Sequence, residues 1–521
     1  MAINRSVAGP VAIDSFPRRE VAGVEQVAVT APSKPKIAVF VTHGMGQQVR
    51  FQTLDDLTQG LAEEAGRRVR TPPLIRARTV QIGDTELQRA EFDMVDAAGR
   101  AVEVHVYEGY WAPITEGQVT IRDVMSFLIR GGINGLFRNA YRDFKRWVFG
   151  RVVTFKKNHI TAQLLLAFGA VFSLVVMNTL VGIVVAARFV QSAGAVEAPG
   201  KWPDLSLMAA VTDVVGVFIA ISILFGLSLL VVTLSKRAVK VPGRNLGWRL
   251  INAILQAFFY GWLVVTLLAG VLLLVFIFLN HFWPGPFQTC VSSLPIFPQW
   301  SWVFIWGSLF VIFLVVRKLL IQYMGDVAAY VSSHTLDRFM EIRTEIRKTL
   351  LEVARAIYSA KSDSGHEYER IGLVGHSLGS VVVYDTLNSL MNEDELNGER
   401  LNVAGRTRVL LTFGSPLDKT AFVFALRWTR TTETREALAA STQPLIQDYA
   451  KYRKLKWINV YSPRDVIGSS VDFYDDKCHP TYMPEMEVQN VIDPDALIPL
   501  VAHTEHWKNR TIFKELYDAL S

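Results

Sequence analysis

The sequence predicts an α/β protein in which a mostly parallel sheet, with helices on both faces, is interrupted by a four-span α-helical membrane insertion. Three observations predict it. Short β-branched runs alternate with helical segments towards both ends of the chain. Four long apolar stretches fill the middle. A G-x-S-x-G pentapeptide stands where a strand gives way to a helix.

At 521 residues the chain exceeds what a single core needs. Half of its residues are hydrophobic and only 20% are charged, which is too apolar for an ordinary soluble enzyme and points to membrane spans. The formal net charge of +6 does not call for a nucleic-acid partner, because the cations cluster beside the apolar stretches, where membrane topology accounts for them. Cys290 and Cys478 lie far apart and fit no metal spacing, so neither a disulfide framework nor a metal is predicted, and no cofactor motif is present. The expected organisation is a flexible tail at 1–35, without a secretory-signal pattern, and a first part of the α/β domain at 36–118. A basic amphipathic membrane-surface segment at 119–160 follows, then four transmembrane helices within 161–321 and the second part of the α/β domain at 322–521.

Taken in order, Lys36-Ile-Ala-Val-Phe-Val-Thr-His43 reads as a buried parallel strand that ends in the tight loop Gly44-Met45-Gly46. Residues 52–70 read as an amphipathic helix. Residues 74–82 and 101–111 read as strands, with a turn at Asp96-Ala-Ala-Gly99 before the second. In 119–157, Val119, Val124, Phe127, Phe144 and Trp147 are interleaved with Arg130, Arg138, Lys145, Arg146 and Arg151. That spacing suits a helix lying on a membrane surface.

The apolar stretches are 162–187, 207–234, 252–280 and 301–321. A span of a hydrocarbon core ~30 Å thick takes about 20 helical residues, which the first three exceed. The fourth reaches that length if Arg317 and Lys318 extend to the interface. Lys and Arg are dense before the first span, between the second and third, and after the fourth, so both termini and the 235–251 loop are expected to be cytoplasmic. An even number of spans returns the chain to its starting side, which lets the two halves of the α/β domain meet. The spans carry almost no ionisable residue, which argues against a transporter.

From Gly325 to about Ala360 the pattern is a long amphipathic helix. Strands follow at 370–375, 407–413 and 456–461, and 380–392 reads as helical.

The chemistry centres on Gly375-His376-Ser377-Leu378-Gly379. A serine nucleophile needs a sharp strand-to-helix turn to present its hydroxyl, and the flanking glycines permit the close packing that such a turn demands. A serine hydroxyl also needs a histidine to take its proton and an acid to orient that histidine, in the chain order Ser, acid, His. Asp465, just past a predicted strand, is the favoured acid, with Asp472, Asp475 and Asp476 as competitors. His503 is the favoured base, with His506 and His479 as alternatives. The backbone N–H groups of Leu378 and Met45 are the expected oxyanion-hole donors, the second carried by the loop His43-Gly44-Met45-Gly46.

Together, Val41-Thr-His-Gly-Met-Gly46, Gly375-His-Ser-Leu-Gly379, Thr412-Phe-Gly-Ser-Pro416, Asp465-Val-Ile-Gly468 and His503 before Trp507 resemble the lipase/serine-esterase branch of the α/β-hydrolase superfamily. The likeness covers roughly 36–110 and 325–521. It implies an eight-strand-type sheet, a Ser377–His503–Asp465 triad, and hydrolysis of carboxylic esters or thioesters without a metal. The inserted spans set this chain apart from a simple member of that family. Joined to them, the resemblance implies a membrane-anchored enzyme acting on a lipid or acylated substrate at the bilayer. The second reading is a catalytically silent protein of the same fold that acts in binding or assembly. The sequence leaves the oligomeric state open.

Overall fold

The core of the fold is a sheet of eight strands, and the order in which the chain lays them down sets one topological switch point within it. In this computed structural model, the described residues are 34–46, 48–120, 144–148, 151–155, 246–286, 325–331, 337–363, 365–424, 441–465, 467–475, 479–497 and 501–521, together with a few helical positions between 122 and 227 and at 438. Residues Pro35–Ser521 form one compact unit. The first strand, β1 (Lys36–Thr42), sends Ile37, Val39 and Val41 to one face of the sheet and Ala38 and Phe40 to the other, so it is buried on both sides. Helix α1 (Gln52–Val69) leads to β2 (Arg76–Ile82), β3 (Thr85–Val95) and β4 (Ala101–Gly109). In the second half come β5 (Arg370–His376), β6 (Thr407–Phe413), β7 (Lys456–Tyr461) and β8 (Gln489–Ile492).

The spatial order is β8-β7-β6-β5-β1-β4-β3-β2. Pairing is parallel from β8 through to β4, and antiparallel for β4–β3 and β3–β2. From β1 the chain crosses to the far edge at β2 and returns inward through β3 to β4 beside β1, then passes to the other side of β1 at β5 and builds outward to β8. The carboxyl ends of β1 and β5 therefore flank a topological switch point, the place where open α/β sheets form binding crevices. One face of the sheet is covered by α1 and the C-terminal helix Arg510–Leu520. The other is covered by Asp337–Ser359 and Leu378–Leu396.

The fold differs from the sequence reading in several places. Strand β3 is not among the predicted elements, although Ala90, Phe92 and Met94 alternate with Glu91 and Asp93 as a half-buried strand requires. Strand β8 is likewise additional. Residues 325–360 contain Gly325–Val331 and Asp337–Ser359, with 332–336 outside the described residues.

The 119–157 segment is not one surface helix. Phe144–Val148 and Arg151–Phe155 pair as an antiparallel hairpin. The run Val152-Val-Thr-Phe155 is β-branched and aromatic, and only Phe149 and Gly150 separate the strands, a composition and spacing that favour a hairpin over a helix. Val119, Val124 and Phe127 are buried in the domain core, so they do not face a membrane surface.

Among the described residues, one helix is long and apolar enough to cross a membrane. It is Tyr260–Phe282, within the longer helix Leu246–Phe282 that contains the predicted 252–280 span. Leu268, Leu272, Val275 and Phe278 are exposed along it. Helical positions from the first two predicted spans pack on this helix. A Cβ at Gly270 would fall 2.4 Å from Ser173 Cβ, and Trp262 Nε1 donates to Ser222 Oγ at 2.9 Å. The predicted 301–321 span, most of 162–187 and 207–234, the 1–33 part of the tail, Cys290 and Cys478 lie outside the described residues.

Candidate active site

Ser377 sits between the last residue of β5 and the first of helix Leu378–Leu396, with φ 55° and ψ −130°. A positive φ is strained for a residue with a Cβ, and such strain is retained where the surrounding structure fixes it. Several bonds fix it here. The Ser377 N–H donates to Phe413 O at 3.0 Å, Ser380 Oγ donates to Gly375 O at 2.8 Å, and Thr42 Oγ1 donates to Gly379 O at 2.9 Å. A Cβ at Gly379 would lie 2.3 Å from His43 O, so the helix reaches this close to the β1 loop only with glycine there.

His503 Nε2 lies 2.8 Å from Ser377 Oγ, and His503 Nδ1 lies 2.9 Å from Asp465 Oδ2. Burial pushes the Asp465 carboxyl upward. The His503 charge and hydrogen bond, with His506 and Lys419 nearby, outweigh burial and hold it well below the usual carboxylate range. An anionic Asp465 takes the Nδ1–H of His503, which leaves Nε2 as the acceptor for the Ser377 hydroxyl proton. His376, directly before Ser377, steadies this arrangement: its Nε2–H donates to His503 O at 3.1 Å, and its ring lies against His503 and Phe413. Burial keeps the His376 imidazole neutral, well below the ordinary histidine range, with the His503 charge acting in the same direction.

The acid sits on a loop that is held on all sides. Asp465 Oδ1 accepts from Ile467 N at 2.8 Å. Lys419 Nζ donates to Ile467 O at 2.9 Å and Gly468 O at 3.1 Å. Ser469 N donates to Ser415 O at 3.0 Å. Gly414, at φ 54°, lies so near that a Cβ would stand 3.1 Å from His503 Nδ1.

The competing histidines and acids fall elsewhere. His506 approaches the same Asp465 oxygen that His503 holds, with Nε2 3.6 Å from Oδ2, and its Nδ1 lies 2.7 Å from Asp493 Oδ2. Burial lowers its affinity for a proton, but the two carboxylates prevail and push it up to about 9, which favours the protonated ring at neutral pH. His479 stacks on Tyr449 and its Nδ1 accepts from Thr481 N. Asp472 accepts from Ser470 Oγ and Asn490 Nδ2, and Asp475 pairs with Arg453. Asp476 lies outside the described residues.

The loop after β1 abuts Ser377: a Cβ at Gly44 would stand 2.8 Å from Ser377 Cβ. Burial lowers the His43 imidazole to about 4, against its bond to Gly44, so the ring is neutral. Its Nδ1–H donates to Gly44 O at 2.8 Å, and its Nε2 accepts from Trp111 N at 3.0 Å and Ala112 N at 3.2 Å. The peptide plane makes the Met45 N–H point opposite to the Gly44 carbonyl, so His43 orients that N–H. The Gly46 N–H is taken by Asp326 Oδ2 at 2.7 Å. Leu378 opens a helix, where N–H groups have no intrahelical acceptor.

Asp326, Lys419 and Asp493 were not among the sequence candidates. Asp493 follows the end of a sheet strand, as Asp465 does, but that strand was itself not predicted. No protein-family model, curated protein or solved structure matches this chain.

Proposed function

We propose that the protein is a membrane-anchored serine hydrolase of the α/β-hydrolase type, which cleaves carboxylic ester or thioester bonds of lipids or acylated molecules at the bilayer. The observation that carries this reading is the unbroken line from Ser377 Oγ to His503 Nε2, and from His503 Nδ1 to Asp465 Oδ2, at 2.8 and 2.9 Å, on a serine with positive φ at the switch point of the sheet.

In the proposed reaction Ser377 Oγ attacks the acyl carbon as its proton passes to His503 Nε2. The negative charge that develops on the carbonyl oxygen meets the N–H groups of Leu378 and Met45. The intermediate collapses, the C–O or C–S bond breaks, and the leaving alkoxide or thiolate takes the proton from His503. Water then attacks the acyl-serine, gives its proton to His503 and releases the acid, and Ser377 recovers its proton. Asp465 stays anionic throughout and compensates the imidazolium.

Supporting the membrane part are the apolar helix Tyr260–Phe282 and the close small-residue packing of Ser173 and Gly270, of the kind that joins helices in lipid. In this reading four spans cross the bilayer, and the positive flanks keep both termini and the hydrolase domain cytoplasmic.

The test is labelling of the full chain, in detergent or native membranes, with a fluorophosphonate probe. Wild type is expected to be labelled and Ser377→Ala not, with ester and thioester screens following. Folded wild type that resists the probe and every such substrate would sink the hydrolase reading and favour a silent binding protein.

A further inference from the structure

The apolar insertion leaves the α/β domain after β4 and rejoins it at Gly325, and both of its roots hold the loop that follows β1. On the outgoing side, Trp111 N and Ala112 N donate to His43 Nε2, Trp111 Nε1 donates to His43 O at 3.3 Å, and Tyr110 Oη donates to Gln48 O at 2.8 Å. On the returning side, Asp326 Oδ2 accepts from Gly46 N at 2.7 Å across 280 residues of chain. The two roots also hold each other. A Cβ at Gly325 would stand 3.2 Å from Val119, and Arg338 pairs with Asp123 at 2.5 Å.

We propose that Asp326 is a positioning residue for the oxyanion hole, so that the roots of the inserted region set the geometry of the donor that faces the reacting carbonyl. This rests on the hydrolase reading above and deepens it. The loop offers few N–H groups to an oxyanion. Asp326 removes that of Gly46 and anchors the loop at that point, while His43 turns the Gly44 carbonyl away and so aims the N–H of Met45. The Met45 peptide is thereby fixed from both ends. Asp326 touches no reacting atom. Its carboxylate is buried, which raises its affinity for a proton, and the Gly46 N–H and Thr115 hydroxyl oppose that effect. The single Thr115 hydroxyl proton lies between Asp326 and Ala112 O, which is 3.1 Å from Oγ1, so Asp326 and Thr115 adjoin the outgoing root. Displacement of a donor in a site of this kind lowers turnover by about 10²-fold.

The experiment compares wild type, Asp326→Ala and Asp326→Asn, each as the full chain in detergent, by fluorophosphonate labelling rate and by kcat and KM on a p-nitrophenyl ester. Asn keeps an oxygen acceptor for Gly46 N–H and places an amide donor towards Thr115 Oγ1. Expected are a loss of about 10- to 100-fold in kcat and labelling rate for Asp326→Ala with KM little changed, and near wild-type values for Asp326→Asn. Equal kcat in wild type and Asp326→Ala overturns the proposal, as does an equal loss in both variants. Failure of wild type to label is a different result and counts against the hydrolase reading itself. Should Asp326→Ala not fold, hydrogen exchange of wild type decides the matter. The Gly46 amide is expected to be protected and the Met45 amide open, and a Gly46 amide that exchanges like free chain overturns the proposal.

Discussion

Two places in the molecule bury histidine among carboxylates and cations, and they come to opposite states. At the carboxyl ends of β5 to β8, His506 lies between Asp465 and Asp493 and is pushed up to about 9. On the flank of β3 and β4, His105 lies near Glu91 and Glu103 yet is pushed down to about 3, first by burial and then by Arg89, Lys36, Arg76 and Arg78. The difference is in what already pairs with the carboxylates. Glu91 is within ion-pair reach of Arg76, Arg78 and Arg89, and Glu103 of Arg76, so their charge is taken. The three ligand-bearing groups lie close enough together to hold a cation, but the surrounding guanidinium charges oppose one. Residue types alone therefore do not make a site. Asp465 and Asp493 follow strand ends at the carboxyl edge of the sheet, and Asp465 is joined to the Ser377 hydroxyl through His503. Glu91 and His105 stand within strands, bonded into the sheet's own charge network.

The sharpest way to break that comparison is to disable each cluster in turn. His503→Ala is expected to lower kcat for ester hydrolysis by about 10³- to 10⁶-fold, since the base of a unit of this kind carries most of its effect. Glu91→Gln is expected to leave kcat per folded molecule within about twofold, and to lower stability by about 1 kcal/mol, because Arg76 and Arg78 stay in contact with water and the part-buried Arg89 keeps Tyr107, Tyr368 and Glu367 beside it. Thermal unfolding alongside p-nitrophenyl ester turnover reads both. Loss of turnover in a folded Glu91→Gln protein would move the functional site to the β3–β4 flank.

How much of this was legible in the sequence depended on the range of the signal. The position of Ser377 was readable because a five-residue pattern and its strand and helix lie side by side. Asp465 and His503 were readable because chain order and strand ends narrow the choice, and the structure then brings them to Ser377. His506 stayed open as an alternative, because two histidines three residues apart cannot be ranked without knowing what each one faces. Asp326 was invisible: its partner Gly46 lies 280 residues away across the apolar insertion. Asp493 was missed with its strand, which at four residues with a central Asn490 has no apolar run to announce it. In Phe144–Phe155 the basic residues are interleaved with apolar ones at a spacing that fits a helix about as well as a strand. The β-branched run and the two-residue connection decide in favour of the hairpin.

A smaller effect is expected at His506. His506→Gln removes the cation behind Asp465, so the carboxylate acts more strongly on His503 and favours its protonated form. The acid limb of kcat/KM is expected to move to higher pH by about half a unit to one unit, with turnover down about 3- to 10-fold. Stability gives a second readout. The folded-state value of about 9 lies above the ordinary 6.5, so the stabilisation is full below about 6.5 and is lost as pH rises through about 9. The gap in unfolding free energy between wild type and His506→Gln should therefore be on the order of 2–3 kcal/mol at pH 6 and shrink towards pH 9.5. A gap that stays constant across that window would mean that His506 is neutral and that its contact with Asp465 carries no charge.

His105 provides the mirror image, and the smallest effect near neutrality. Its folded-state value of about 3 lies below the ordinary 6.5, so the unfolded chain binds a proton that the folded chain refuses. Stability is then unaffected above about pH 6.5 and falls as pH drops below it, by on the order of 2 kcal/mol at pH 5. His105→Gln has no such group to titrate. It gives up packing and the bond between Nδ1 and the Tyr368 hydroxyl, a loss of about 1 kcal/mol that does not vary with pH. Wild type should thus be the more stable protein at pH 7.5, and its advantage should vanish or reverse by pH 5, with ester turnover unchanged at either pH once corrected for the folded fraction. Thermal unfolding of both proteins across pH 5 to 8 measures this. An advantage that grows on acidification would show that His105 takes up a proton in the folded state, and that Glu91 and Glu103 act on it as Asp465 and Asp493 act on His506, despite the arginines around them.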